Sequence, residues 1–474
     1  MYLKKLQITH FRYFNNYEVE FAPHVTILFG KNGSGKTTLI HAMRKALSFM
    51  MLSEKIKVKD PKTKKMKPVG EKTLRSGNPY VNVEGYSLIG DSHAQGTKRG
   101  DYLIEIGADA FLDEDTFLNW RMSAYAINCR LRQSEYKEAF DKLYNWHKET
   151  EVYPLLAYYS DGYPHYSYNN KAKKEKTKES FIVKSNITSI GYTDWITESG
   201  CTNAWVSRME TNIRAAENLQ RQINSYLANK DGAIESSVGW SETGYNKAKE
   251  ELTEALEEIK FITNALRKFS EQELAIAVDT LDLNPYDAHL RIMTKDRHPY
   301  SFRNLPAGYK RLFSIALDLA YRSFFLGGSL DVAGVAIIDE IDQHLHPELE
   351  KVVLGRFIET FPNLQFIVST HSPLVLTGIS TLKDNSILLM APEQTKPIEY
   401  PNVYGLDYNS ALQEIMNVGI NGDELKRLIS NCAYMYSKGL KEQADNLKRY
   451  IIEKKLISEE EVEKRIDNKM KEYR

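Results

Sequence analysis

Apolar and polar positions alternate from Tyr2 to about Phe21, with Leu3, Leu6 and Ile8 followed by Val19 and Phe21. A period of two predicts two half-buried strands, joined here by a turn at Asn15-Asn16. Val25-Thr26-Ile27-Leu28-Phe29 predicts a buried strand running into a glycine-rich loop, with a helix from Thr38 to about Met50. Residues 53–68 carry seven lysines with Pro61 and Pro68 and read as an exposed loop. Alternation returns at 80–88 and 102–106, and an aromatic-rich run from Tyr153 to Tyr159 precedes a polar, lysine-rich loop at 161–179.

Two long helices are predicted in the middle, from about Asn203 to Ala228 and from about Glu242 to Phe269. In the second, Tyr245, Ala248, Leu252, Ala255, Ile259, Ile262, Leu266 and Phe269 recur at alternating three- and four-residue steps, a heptad seam. At about 1.5 Å per residue each helix would be roughly 40 Å long. This pattern suits a core-packed amphipathic helix or a short antiparallel arm projecting from the body. Beyond Leu281 strands resume, with Leu290 and Ile292 on one face, and a helix follows from about Gly308 to Phe325. Val335–Ile338 and Phe366–Ser369 are fully apolar strands bracketing a helix, which indicates a parallel sheet covered on both faces. From about Asp407 the chain reads as charged helices with breaks at Gly439-Leu440 and Leu456-Ile457.

The length of 474 residues corresponds to roughly three units of about 150, enough to bury a core without covalent staples. Lys plus Arg and Asp plus Glu are both 63, so the net charge is zero. That argues against a surface wholly devoted to nucleic acid but leaves room for a local basic patch. Cys129, Cys201 and Cys432 lie far apart, which argues against a disulfide framework and suits a reducing cytosol. No apolar run approaches the about 18 residues of a membrane span. The opening MYLKKLQITHFRYF lacks a signal peptide's apolar core. The expectation is a cytoplasmic protein without a membrane partner.

Gly30-Lys31-Asn32-Gly33-Ser34-Gly35-Lys36-Thr37 matches GxxxxGK[ST], with a strand before it and a helix, opening at Thr38, after it. Glycines let backbone N–H groups curl round phosphate oxygens, and the helix N-terminus adds positive potential. Lys36 would bridge the terminal phosphates and Thr37 would place a hydroxyl on Mg²⁺. Asp339 and Glu340 emerge at the C-terminal end of an apolar strand, where open parallel sheets bind ligands. Asp339 would hold Mg²⁺ and Glu340 would polarise a water. Ser369-Thr370-His371-Ser372-Pro373 follows another apolar strand, placing His371 to sense a γ-phosphate. Asn304-Leu305-Pro306-Ala307-Gly308-Tyr309-Lys310-Arg311 opens a helix at Gly308. A second anion-binding helix end makes sense if it reaches the nucleotide of a partner subunit.

This ordered set resembles the ATPase head shared by ABC transporters, SMC and Rad50 proteins and OLD-family ATPases. His10-Phe11-Arg12 resembles the Asn-Phe-Arg-like turn near the start of such heads, which puts Arg12 beside the nucleotide. Asp339-Glu340-Ile-Asp342-Gln-His344-Leu-His346-Pro347 is similar to the OLD-type DExxxHLHP sequence. Within that motif His344 and His346 read as structural or dimer contacts rather than metal ligands. The resemblance implies an α/β fold: an ABC/SMC-type P-loop ATPase head with a helical insertion arm and a helical C-terminal extension. Its parts would be 1–200 and 273–400 for the head, 201–272 for the arm and 401–474 for the extension. ATP and Mg²⁺ are the implied cofactors. Leu305-Pro306-Ala307-Gly308 stands where the ABC signature reads Leu-Ser-Gly-Gly, and the segment resembling the Q-loop, Pro154 to Ser160, has no glutamine. The residue completing the metal shell there is left open.

Residues 404–474 and the middle helices resemble the ATPase-subunit family, PtuA, of Septu anti-phage systems. That resemblance implies ATP-dependent head dimers, assembly into a higher oligomer, and a separately encoded HNH nuclease as partner. No nuclease constellation is visible in this chain. The alternative is a DNA-repair ATPase of the RecF/Rad50 type, with the lysine runs at 55–67 and 171–178 as candidate DNA contacts or as solvated loops. A transporter ATPase is a weaker third reading.

Overall fold

The computed structural model describes residues 1–12, 14–51, 53–59, 66–73, 103–125, 135–164, 188–195, 201–230, 241–271, 274–381, 384–400, 403–405, 422–453 and 459–472. Along the chain, β1 (Tyr2–Phe11), β2 (Phe14–Glu20) and β3 (Val25–Phe29) precede α1 (Lys36–Leu47). Next come β4 (Ser53–Lys59), β5 (Met66–Thr73), β6 (Leu103–Phe111), β7 (Phe117–Tyr125), α2 (Lys137–Thr150) and β8 (Leu155–Tyr159). The long helices α3 (Thr202–Lys230) and α4 (Glu242–Ser270) lead to β9 (Val278–Leu283), β10 (Leu290–Thr294) and β11 (Pro299–Ser301). Then follow α5 (Ala307–Gly327), β12 (Gly334–Ile338), α6 (Pro347–Thr360), β13 (Leu364–Thr370), α7 (Pro373–Thr377), β14 (Asn385–Leu389) and β15 (Ile398–Tyr400). The last helices are α8 (Gly422–Ser437), α9 (Lys441–Glu453) and α10 (Glu459–Glu472). Two compact units result, Met1–Tyr404 and Gly405–Arg474.

The first unit is built on a six-stranded sheet of order β15-β14-β3-β13-β12-β8, parallel except for the β14–β15 pair. Every residue of β3, β8, β12 and β13 is buried, as strands covered on both faces require. A four-stranded antiparallel sheet of order β2-β1-β6-β7 is stitched to it by one buried amide. Gln365 Oε1 accepts from Leu3 N, and Gln365 Nε2 donates to the Leu3 and Ala22 carbonyls, all at 2.8 Å. The β9–β11 meander leads into α5.

The expected turn at Asn15-Asn16 is corrected: both residues lie inside β2, and Phe11 pairs with Phe14 across a turn at Arg12, whose φ is 54°. Phe11 and Phe14 are both buried, and their burial sets the register. The lysine-rich stretch expected as a loop contains the antiparallel pair β4–β5. Lys55-Ile56-Lys57-Val58-Lys59 alternates with a period of two, a strand pattern beneath the charge. The strand expected at 80–88, Cys129, the lysines at 171–178 and the break at Leu456-Ile457 lie outside the described residues.

The α3–α4 pair has two parts. Its root enters the core: Phe269 packs on Phe313 and Phe357, and Phe261 on Phe324. Further out, Ala216, Ile223, Tyr226, Ala248 and Leu252 form a small core between the two helices themselves. At the root the buried Asp318 carboxylate accepts hydrogen bonds from Tyr159 Oη (2.7 Å), Trp205 Nε1 (2.5 Å) and Arg322 Nε (2.6 Å). Arg322 also donates to the Gly191 and Thr193 carbonyls at 2.8 and 3.1 Å. One ion pair thus joins β8, α3 and α5.

The second unit is a three-helix arrangement of α8, α9 and α10 around Ile429, Cys432, Ala433, Ala444, Ile451, Val462 and Ile466. Gly439, at φ 75°, makes the break between α8 and α9. No helix among the described residues is long and apolar enough to cross a membrane.

Removing the Asp318 carboxylate strands a buried guanidinium. Asp318→Ala is expected to cost about 3–5 kcal/mol of stability, read by urea denaturation. Asp318→Leu combined with Arg322→Met should recover much of that loss.

Candidate nucleotide site

The loop between β3 and α1 owes its shape to glycine. Gly30, Gly33 and Gly35 take φ of 148°, 78° and 97°, values that an L side chain resists. A Cβ on Gly30 would also lie 2.8 Å from Ser34 Oγ. No side chain caps the start of α1 at Gly35, so its first N–H groups are left for an anion. Lys31, Asn32, Gly33 and Thr37 are exposed, whereas Ser34, Gly35, Lys36 and Thr38 are buried. Lys36 Nζ donates to the Gly30 and Lys31 carbonyls at 2.9 and 3.2 Å, so its ammonium is held across the loop. Burial lowers the Lys36 pKa, and the charges of Asp339, Glu340 and Asp342 oppose that fall. Ser34 Oγ is buried and has no hydrogen-bond partner among the described atoms. A held ammonium, an orphaned hydroxyl and an uncapped helix end together fit a polyphosphate.

The acidic end of the site comes from β12. Asp339 N continues the ladder to the Tyr159 carbonyl at 2.8 Å, and Asp339 is almost fully buried. Burial pushes its carboxyl above the ordinary value, hydrogen bonds from Ser369 and Thr37 pull it back, Asp161 raises it further and Lys36 lowers it. The Thr37–Asp339 contact brings the two sequence-predicted metal ligands together, with the donor chemistry of a hard divalent cation. Glu340 sits in the left-handed region at φ 50°, with its N–H donating to Ser369 Oγ at 2.8 Å. Its carboxyl is raised by burial and by Asp339, lowered by His371, and raised again by Asp161 and Asp342. His371 Nε2 lies 3.9 Å from Glu340 Oε1, so these two are brought together as well. Asp342 Oδ1 accepts from Thr370 Oγ1 at 2.6 Å and from His371 N at 3.3 Å, which fixes the histidine's backbone.

Gly308 lies under this acidic end, where a Cβ would meet the His344 carbonyl at 2.6 Å, so the helix start needs glycine for close approach. Pro306 and Ala307 before it are exposed, and no side chain caps α5. His346 caps α6 by accepting from Glu348 N. Arg12 stacks its guanidinium 5.7 Å from the Phe11 ring, which also takes Lys45 Nζ at 5.9 Å. That ties Arg12 toward the second half of α1.

Sequence reasoning missed the residue that assembles the site. Arg311 is 1% exposed. Its Nη1 donates to the carbonyls of Ser160 (3.2 Å), Asp161 (2.7 Å) and Tyr163 (2.6 Å). Its Nη2 donates to those of Asp339 (2.7 Å) and Glu340 (3.2 Å). Ser369, Asp342 and Asp161 were missed as well. The signal for Arg311 was an arginine near the start of a helix whose buried side, mostly apolar, also carries Asp318 and Arg322.

A phosphate loop beside a buried acidic strand end on a parallel sheet, flanked by an antiparallel sheet and a helical arm, defines a P-loop ATPase head of ABC/SMC type. The chain belongs to the AAA ATPase domain family (AAA_15), whose model matches residues 1–376. It is therefore a nucleotide-binding ATPase. It is 26% identical over 385 residues to "Retron Vc95 probable ATPase" of Vibrio cholerae serotype O1 biovar El Tor, covering 76% of this chain and 68% of that one. A 76-residue stretch is 37% identical to Septu protein PtuA of Bacillus mycoides (strain KBAB4), covering 16% of this chain and 11% of that one. Forty-three residues are 46% identical to the DNA replication and repair protein RecF of Ligilactobacillus salivarius (strain UCC118), or 9% of this chain and 11% of that one. Among solved structures, an Smc head bound to the C-winged helix domain of ScpA covers 85% of this chain and 98% of that chain, at 15% identity and a TM-score of 0.42. The fold assignment rests on the sheet order and loop geometry described above.

A carboxyl raised on folding is a stability penalty when ionised. For Glu340 the folded protein binds the proton more tightly, so stability falls as pH rises from the ordinary value of 4.5 through the raised one. Glu340→Gln should therefore raise the thermal midpoint at pH 7 by about 1–3 °C. The gain should vanish as pH drops below the ordinary carboxylate range, which melting curves across pH would show.

Proposed function

We propose that this ATPase binds ATP with Mg²⁺ between two copies of its head and acts as the regulatory subunit of an anti-phage defence complex. Nucleotide state would set the conformation of the arm and the C-terminal helices, and through them a separately encoded HNH nuclease. One observation carries the reading: the phosphate loop, Asp339, Glu340 and His371 assemble on one strand-end rim, whereas the signature-like helix start exposes Asn304, Pro306 and Ala307 and has no side-chain cap. Such a helix start is half of a composite site, completed by a second copy.

The roles follow from position. Backbone N–H groups from Gly30 through Gly35, with Lys36 and Thr38, hold the phosphates. Thr37 and Asp339 hold Mg²⁺, which when bound supplies charge neutralisation at the phosphates. Glu340 accepts a proton from the attacking water, and His371, against Glu340, orients that water at the γ-phosphate. By the family resemblance Arg12 would serve the nucleotide, and Gly308, packed under the His344 carbonyl, would hold the exposed Pro306-Ala307 turn toward the partner's nucleotide. The similarity to the retron ATPase runs over 76% of the chain, whereas the RecF matches cover 9% and 19% and the Septu match, whose resemblance adds the nuclease partner, covers 16%. That difference in extent favours defence over DNA repair.

Lys36→Ala should lower ATP affinity at least about 100-fold, because the phosphates lose their buried cation. Fluorescent-nucleotide titration measures this, and affinity near that of the wild type would remove the site assignment. Glu340→Gln should keep ATP bound, slow turnover by about 10²–10⁴-fold and accumulate dimers in light scattering. Co-purification with an HNH protein from the same genomic neighbourhood checks the partner. DNA binding that weakens steeply with salt and stimulates hydrolysis, without an HNH partner, would favour the repair reading.

A further inference from the structure

The last paired residues of β12 and β13 are Ile338 and Val368, yet the two chain ends stay joined beyond them. Ser369 Oγ donates to Asp339 Oδ1 and accepts from Glu340 N at 2.8 Å. Ile341 N donates to the Ser369 carbonyl at 3.0 Å. Asp342 Oδ1 then accepts from Thr370 Oγ1 at 2.6 Å and from His371 N at 3.3 Å. The far side of the histidine is held as well. Ser372 N donates to Thr370 Oγ1 at 2.9 Å. Ser372 Oγ donates to Glu350 Oε2 on α6 and accepts from Leu374 N at 3.1 Å. One carboxylate oxygen of Asp342 thus holds the N–H of His371 directly and, through the Thr370 hydroxyl, the residues on either side of it.

We propose that Asp342 is a positioning residue for His371: its carboxylate oxygen sets the backbone from which the imidazole reaches Glu340. The inference rests on the role given to His371 above and deepens it. Holding a residue's N–H and both its neighbours fixes the direction of its Cα–Cβ bond, and only the staggered side-chain torsions are then left to place the ring. The ring lies against Glu340, with Nε2 3.9 Å from Oε1. Glu340 and Asp342 belong to one turn, opened by Glu340 at φ 50°. The water-activating carboxylate and the histidine are therefore both set by one short piece of chain rather than by two independent loops. A shift of about 1 Å in such a group costs about 10²-fold in rate. The action is that of an acceptor rather than of a charge, since one oxygen takes both hydrogen bonds and an amide oxygen can replace it. Thr370, His371 and Ser372 lie outside the phosphate loop, so nucleotide affinity does not depend on this clamp.

The test is steady-state ATP hydrolysis by the full chain, with a fluorescent ATP analogue titrated alongside. Asp342→Ala should lower kcat about 10- to 100-fold while nucleotide affinity stays within about 3-fold. Asp342→Asn, which keeps the accepting oxygen, should recover most of the rate. Because Asp342 acts through the imidazole, adding Asp342→Ala to His371→Ala should cost nothing beyond His371→Ala alone. Where Asp342→Ala melts below the assay temperature, Thr370→Val reads the same clamp: kcat should fall with affinity kept, and an unchanged kcat there counts against it. The role of Asp342 is overturned by an unchanged kcat in Asp342→Ala, by losses that multiply in the double variant, by Asp342→Asn no better than Asp342→Ala, or by affinity that falls in step with kcat. An unchanged kcat in His371→Ala would instead overturn the reading of His371 beneath it.

Discussion

The site depends on one buried guanidinium. Arg311 donates to five carbonyls drawn from two chain segments, the end of β8 and the end of β12. Burial works against its charge, and Asp161, Asp339, Asp342 and Glu340 work to keep it. A side chain with five donors in a rigid planar fork can span both segments, and a lysine at the same position cannot. Because the contacts are to backbone, Arg311 fixes where the acidic residues sit without consuming the carboxylates. Those carboxylates remain for a cation, a water and His371.

The same helix carries the second buried charge. Asp318 and Arg322 follow Arg311 by seven and eleven residues on α5, so all three share one side. The first grips the rim of the nucleotide site. The other two grip Trp205 at the root of the arm, Tyr159 on β8 and the turn at 191–193. One rigid element therefore spans from the signature-like turn, through the site, to the arm. The Arg208–Glu258 pair, bidentate at 2.7 Å and nearly buried, ties the two arm helices at the same level.

Legibility in the sequence was uneven, and the misses have physical causes. The turn placed at Asn15-Asn16 fell at Arg12 because burial of Phe11 and Phe14 outweighs the turn preference of asparagine. The lysines of 53–59 hid a strand because charge content and period are separate signals. The heptad seam of α4 was legible, but that α4 is core at one end and pairs only with α3 in its own small core further out was not.

The sequence alone determined the phosphate loop, the apolar strands and the acidic pair after Ile338. Each of these is a local property: glycine's freedom at positive φ, the period of a strand, a carboxylate at a strand end. The tertiary structure decided what stands opposite them. Arg311 reaches carbonyls 151 and 28 residues away, and it can bridge the ends of β8 and β12 only because those strands are neighbours. Strand order is a property of the whole packed sheet, so no local pattern carries it. Side chains whose partners depend on that order become readable only once the sheet has formed.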